Sequence, residues 1–184
     1  MRGLGLRKAE VGDLPAIEAT IRSAWSSSEL HDSFDVHPGG LSDLPALCRE
    51  HLSGCLVAHR ADKVIGCIAW RQDEFVGVLF LHSVMREFLD LGIGTALVGG
   101  FLDRARDDGL RLLEIRIPES LKRAARIYHR QRFRVSARWI RLNRGCKTVR
   151  ASADDSARIG HYEKAGFSRG DFWCQYERTF SGKG

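Results

Sequence analysis

The segment Leu91-Gly92-Ile93-Gly94-Thr95 constrains the fold more than any other, because one periodicity stops there and another begins. Before it, Phe75 to Met85 is an apolar run with strand character; after it, Leu97, Phe101 and Ala105 recur at helical spacing as far as Asp108. Leu110 to Ile117 then reads as strand again. Strand, glycine turn, helix, strand is a β-α-β unit, which needs a sheet to pack on. Glycines at such a turn let several backbone N–H groups and the positive end of the helix dipole converge on one spot, with no Cβ to hold a ligand phosphate away. Two other phosphate patterns fail. The third position of G-x-G-x-x-G falls on Leu97 with no acidic residue at the ribose spacing, and no Gly-Lys-Ser/Thr ending is present.

Upstream, Leu6-Arg7-Lys8-Ala9-Glu10 predicts a short strand. It runs into Asp13-Leu14-Pro15, where Asp13 can cap a helix that carries Leu14, Ile17, Ile21 and Trp25 on one face. Asp43-Leu44-Pro45 starts a second helix after the polar, aperiodic stretch 26–40. Cys55-Leu56-Val57-Ala58-His59 and Val64 to Trp70, joined by Arg60-Ala61-Asp62-Lys63, predict a hairpin. Downstream the chain repeats itself. Leu113 to Arg144 and Lys147 to Arg178 superpose at an offset of 34, pairing Arg116 with Arg150, Tyr128 with Tyr162, Phe133 with Phe167, Trp139 with Trp173 and Arg144 with Arg178. Five identities in 32 positions suit either a duplication or two β-α-β segments of the same kind.

With 184 residues, 43% of them hydrophobic, the chain suits one domain over 1–184 with a buried core, and Asp154 to Phe180 adds a helix and an edge strand through which a homodimer could pair. No apolar run approaches the roughly 18 to 20 residues that cross a bilayer, so no membrane partner is expected. Met1 to Lys8 lacks the apolar core of a secretory signal, and the expected location is cytoplasmic. Five scattered cysteines without a C-x-x-C pair predict neither a disulfide framework nor a metal site. The net charge of +6 is unevenly spread: 104–150 holds 15 Lys or Arg against 4 acids, which leaves 14 bases and 19 acids elsewhere. Such a stretch is a solvated face, a phosphate-ligand surface or a nucleic-acid surface.

Val84-Met85-Arg86-Glu87-Phe88-Leu89-Asp90-Leu91-Gly92-Ile93-Gly94-Thr95-Ala96-Leu97 resembles the acetyl-CoA motif of the GNAT superfamily of N-acetyltransferases, Arg/Gln-x-x-Gly-x-Gly/Ala after a central strand. Tyr162-Glu163-Lys164-Ala165-Gly166-Phe167 resembles the Tyr-x-x-x-Gly-Phe ending of the family's following helix, and Tyr128 to Phe133 resembles it too, with Arg132 in place of glycine. The resemblance covers nearly the whole chain. It implies an α/β (α+β) GNAT-like three-layer fold, a mixed, mostly antiparallel, splayed sheet flanked by helices, and acetyl-CoA as co-substrate with no metal. Leu89 and Leu91 depart from the family by standing at positions that are commonly basic, so charge for the pyrophosphate must come from Arg86 or the basic stretch.

The resemblance further implies that Ser83, Val84, Met85, Leu89, Asp90, Leu91, Gly92, Ile93, Gly94 and Thr95 bind the co-substrate, with a backbone N–H of Ser83-Val84-Met85 stabilising the oxyanion. A tyrosine, Tyr128 or Tyr162, would protonate the leaving thiolate. The base is open among His82, whose ordinary pKa suits neutral pH, Glu114 and Glu74. Trp25, Glu29, Asp32 and Asp35, in and beside the loop after the first helix, would receive a cationic small-molecule or peptide amine. Two alternatives stand beside this: a tRNA- or ribosome-directed acetyltransferase using the basic stretch, and a GNAT-like interaction module that does not catalyse.

Overall fold

The computed structural model describes residues 3–25, 44–144 and 147–180. The chain is mixed α/β, built on mostly antiparallel strands with helices against them, and divides into two compact units, Met1–Glu114 with Thr179–Gly184, and Ile115–Arg178.

The first unit contains β1 (Leu4–Lys8), α1 (Leu14–Trp25), α2 (Leu44–Glu50), β2 (Cys55–Arg60), β3 (Lys63–Asp73), β4 (Val76–Val84) and α3 (Ile93–Asp107). Its strands pair antiparallel in the order β1-β2-β3-β4, with Leu6 opposite Ala58, Val57 opposite Cys67, and Cys67 opposite Ser83. Val64 to Trp70 is buried without a break rather than at alternate positions, because α1 and α3 both pack on β3 and leave neither of its faces to water. Ile17, Cys67, Ile68, Leu97 and Phe101 are at most 1% exposed, and the Trp70 ring lies 4.8 Å from that of Phe101. The expected hairpin forms on Ala61-Asp62, with Ala61 at φ +49. Asp13 ends a 3-10 turn, Val11–Asp13, whose N-cap is Glu10, rather than standing as the cap of α1. Its carboxylate accepts both guanidinium nitrogens of Arg7 at 2.6 and 2.7 Å and the Glu10 N–H at 2.8 Å, and the Arg7 contact holds it below the usual carboxylate range.

From β5 (Leu112–Pro118), whose last residues open the second unit, the chain continues through α4 (Lys122–Arg130), β6 (Arg134–Arg144), β7 (Lys147–Ser152), α5 (Ser156–Lys164) and β8 (Ser168–Thr179). Every helix bound of the first strand-helix-strand set recurs 34 residues later: Lys122–Arg130 becomes Ser156–Lys164. The helix endings match in detail. Arg132 and Gly166 are both left-handed, at φ +63 and +83, and Phe133 and Phe167 each donate a backbone N–H to the tyrosine five residues earlier at 3.0 Å. The Tyr128–Phe133 and Tyr162–Phe167 ring pairs are both 5.5 Å apart and edge-on.

The order β5-β8-β6-β7 interleaves the two copies, and Trp139 on β6 pairs with Trp173, its own counterpart, on β8. Arg144 donates to the Ala165 carbonyl at 2.7 Å, while its counterpart Arg178 donates to the Gln131 carbonyl, so each copy closes the helix end of the other. The sequence repeat is thus a structural one with approximate two-fold symmetry. The expected edge strand is placed differently: β8 lies inside its sheet and β7 forms the edge, because the hairpin of β6 with β7 sends the chain back through α5 to a slot between β5 and β6.

The repeat supplies a test. Arg132 holds a backbone conformation that costs a non-glycine residue roughly 1 kcal/mol or more, whereas its counterpart is Gly166. Arg132→Gly is expected to raise the thermal midpoint, by about 0.5 kcal/mol after the entropy of the freer unfolded chain is offset; an unchanged or lower midpoint in thermal denaturation would contradict it.

Among the described residues, no helix is long and apolar enough to cross a membrane, and no group of three His, Cys, Asp or Glu side chains could hold a metal ion.

Candidate active site

The site is built at the end of β4. The Met85 N–H donates to the Ile65 carbonyl at 2.9 Å, which fixes the alternation of the antiparallel pair: Ser83 and Met85 point their amides at β3, and Val84 points its amide away. Of the three expected oxyanion donors, Val84 is therefore the one whose N–H is not spent on β3. Two hydroxyl-bearing residues of α1 brace this strand end. The Ser83 hydroxyl, buried, donates to the Thr20 carbonyl at 3.4 Å, and the Arg86 N–H donates to the Ser23 hydroxyl at 3.2 Å. Neither Thr20 nor Ser23 is singled out by the sequence: Thr20 acts through its main-chain carbonyl, which no residue type announces, and its own hydroxyl donates to the Ala16 carbonyl at 2.9 Å.

Past β4 the chain makes one 3-10 turn at Arg86–Phe88 and then two left-handed residues, Asp90 at φ +63 and Gly92 at φ +75. Gly92 is the N-cap of α3 and its carbonyl accepts the Ala96 N–H at 3.0 Å. A glycine cap has no side chain to occupy the first-turn amides of Ile93, Gly94 and Thr95, so these keep their donors for an anion while the buried Ile93 side chain anchors the turn. The donor set fits a pyrophosphate through backbone alone. Leu89 and Leu91 are 37% and 51% exposed and contribute no charge. Lys63 is engaged, with Nζ 2.7 Å from Glu87 and over the Phe88 ring, which leaves Arg86 as the basic residue of the turn itself.

His82 lies near the end of β4, just before this turn. Its Nε2 is enclosed although the residue keeps some surface, and burial lowers its pKa to about 4, partly opposed by a hydrogen bond with the Gly94 backbone. It is neutral at pH 7 and a much weaker base than a solvated imidazole. The carboxylates lie elsewhere. Glu74 sits in the β3–β4 turn, at the opposite end of β4. The Phe75 carbonyl accepts the Leu112 N–H at 3.2 Å, so Glu114, two residues on, is on the order of 20 Å from Val84 given a strand rise of about 3.3 Å per residue.

In the second unit, Tyr128 is 1% exposed, its ring edge-on to Phe133 and 6.2 Å from Tyr176, and burial pushes its hydroxyl well above the usual phenol range. Tyr162 is half-buried and packs with Phe167 and Phe172 against Ile140, Leu142, Ala151 and Ile159. Glu29, Asp32 and Asp35 lie outside the described residues, as does the side chain of Trp25 at the end of α1.

A central antiparallel strand thus ends beside a glycine-capped helix N-terminus, with one amide turned away from its neighbour strand and the first-turn amides of the helix free of a side-chain cap. The profile of the acetyltransferase (GNAT) family matches residues 14–133, and the chain belongs to that family. YncA of Salmonella typhimurium, solved with its cofactor acetyl-CoA, is similar at 14% identity and a TM-score of 0.69 over 98% of this chain and 96% of that one. PaiA N-acetyltransferase of Thermoplasma acidophilum, in complex with coenzyme A, is 15% identical with a TM-score of 0.66 over 96% and 99%. A ribosomal-protein-alanine N-acetyltransferase of Brucella melitensis is 17% identical with a TM-score of 0.68 over 96% and 99%. At these identities the likeness is one of fold. No curated protein sequence matches the chain.

Proposed function

We propose that the chain transfers the acetyl group of acetyl-CoA to a primary amine of a cationic small molecule or peptide, by direct attack of the amine on the thioester. The observation that carries this reading is the glycine-capped start of α3, whose Ile93, Gly94 and Thr95 amides are left without a side-chain cap at the end of the braced strand β4. Two of the similar structures contain acetyl-CoA or coenzyme A, and another is named for the alanine amine of a ribosomal protein. The co-substrate would supply the activated acetyl group; Leu91 to Thr95 would hold its pyrophosphate by backbone N–H donors, with Arg86 the nearest cation in sequence. The Val84 N–H would receive the charge that develops on the thioester oxygen.

Tyr128 would return a proton to the thiolate. The family match ends at residue 133, so it includes Tyr128 and Phe133 and leaves out Tyr162. A hydroxyl kept protonated by burial is suited to donate. The incoming ammonium must lose its proton to a group near the strand end; His82, on β4 two residues before Val84, would act as a weak acceptor or through water. Glu29, Asp32 and Asp35 would set the preference for a cationic amine.

Calorimetric titration with acetyl-CoA and with CoA tests the reading. Micromolar binding of both, followed by CoA release when amines are added, is the expected result. Absence of detectable binding would remove the enzymatic reading and leave a GNAT-like interaction module, the outcome that the two exposed leucines would then explain.

A further inference from the structure

The basic stretch that composition marks out is resolved by the structure into two populations. Most of its cations are committed. Arg104 and Arg106 pair with Asp108 and Asp103, Arg138 pairs with Glu119, Arg116 donates to Gln175, and Arg144 closes the end of α5. Lys122, Arg126, Arg130, Arg132 and Arg134 differ. All five are exposed, no carboxylate among the described residues lies within ion-pair distance of any of them, and all fall within 13 consecutive residues, on α4, its C-terminal turn and the first residue of β6. Lys122, Arg126 and His129 or Arg130 follow the helical spacing of one outward face, with Tyr128 on the buried side.

We propose that this surface binds the phosphate backbone of single-stranded RNA. Five cations on one helix and the chain that follows it, with Glu177 on β8 opposite the last of them, Arg134, repel one another, and a polyanion relieves that repulsion while releasing its own counterions. Four of the five are arginines, whose planar guanidinium engages phosphate through paired N–H donors. A lipid surface does not fit: a helix that lies in a bilayer interface needs its apolar face free to insert, and the apolar face of α4 is spent on Tyr128 packing against Phe133 and Tyr176. A rigid duplex laid on one short helix meets few of the five charges. A flexible single strand can follow the helix, its terminal turn and the start of β6, and reach all of them.

The test is fluorescence anisotropy of a labelled 20-nucleotide single-stranded RNA with the full chain at 50 and 200 mM salt. With four to five phosphates neutralised, the logarithm of affinity should fall with a slope of about −3 against log salt, so the fourfold rise in salt costs on the order of 50- to 100-fold. Arg126→Glu with Arg130→Glu should lose at least tenfold at 50 mM and flatten the slope by one to two units, whereas Arg126→Lys with Arg130→Lys should keep most of the binding. Arg22→Glu with Arg49→Glu, on the first unit, serves as the matched control. The proposal fails if there is no binding at 50 mM salt, if the α4 reversal binds like the control variant, or if a duplex DNA of equal length binds as tightly as the RNA. None of these outcomes bears on CoA binding, so this inference and the transferase reading stand or fall separately.

Discussion

Tyr128→Phe should lower kcat about 100-fold or more with KM for acetyl-CoA nearly unchanged, while Tyr162→Phe should leave both within about twofold. General-acid assistance contributes typically 10²- to 10⁴-fold, and it acts on the thiolate that forms during reaction rather than on the bound thioester, which is why the loss belongs in kcat. The repeat makes the comparison unusually clean. Both tyrosines sit at the same position of a nine-residue helix, each edge-on at 5.5 Å to a phenylalanine five residues later, so removing a hydroxyl perturbs the same ring pair in both variants. Because burial holds the Tyr128 hydroxyl above the usual phenol value of about 10, the wild-type rate should not decline through ionisation of this acid as pH rises from 8 to 10. Steady-state assays of CoA release across that range measure both. Equal losses in the two variants would show that the hydroxyls serve packing alone and would return the acid to a group outside α4 and α5.

What the sequence made legible follows from what is local. The turn from Leu91 to Thr95 was readable because a glycine cap, a change of period and the apolar spacing of Leu97, Phe101 and Ala105 all lie within about 15 residues, and α3 occupies that span. The repeat was visible as five identities, which left open a duplication or two segments of the same kind; the match extends to helix bounds, cap conformation and ring geometry. Strand order was not readable. Nothing in residues 168–179 distinguishes an edge from an interior strand, because β8 owes its slot to β5 and β6, which are distant in sequence. Two of the candidate bases lie away from the turn for a related reason: Glu74 is in the β3–β4 turn at the far end of β4, and the pairing of Leu112 with Phe75 sets Glu114 toward that end as well. His82 was identified as a residue of the strand end, yet its pKa depends on enclosure that composition does not report. The charge stretch 104–150 was visible as a sum, while the division between paired and unpaired cations required the partners Asp103, Asp108 and Glu119.

The second large effect is a gain. Leu89→Gln with Leu91→Arg should tighten CoA binding about 10- to 100-fold, an unusual direction for substitutions in a binding loop. The two leucines are 37% and 51% exposed, so neither is anchored in the core and neither change opens a cavity or buries a charge. Both flank Asp90, whose left-handed backbone and the following Gly92 fix the course of the turn independently of the side chains on either side. A guanidinium placed at position 91, one residue before the cap, adds a charge-assisted hydrogen bond to a phosphate that the backbone already orients, and such bonds contribute about 1.5 to 3 kcal/mol. It also adds positive charge to a turn that carries the carboxylates of Glu87, paired with Lys63, and Asp90. Calorimetry of the double variant with CoA and with dephospho-CoA reads the effect: a gain shared by both ligands assigns the new contact to the pyrophosphate. An affinity equal to wild type would mean that the phosphates lie away from the α3 N-terminus, and the backbone cradle from Leu91 to Thr95 would then lose its role in holding the donor.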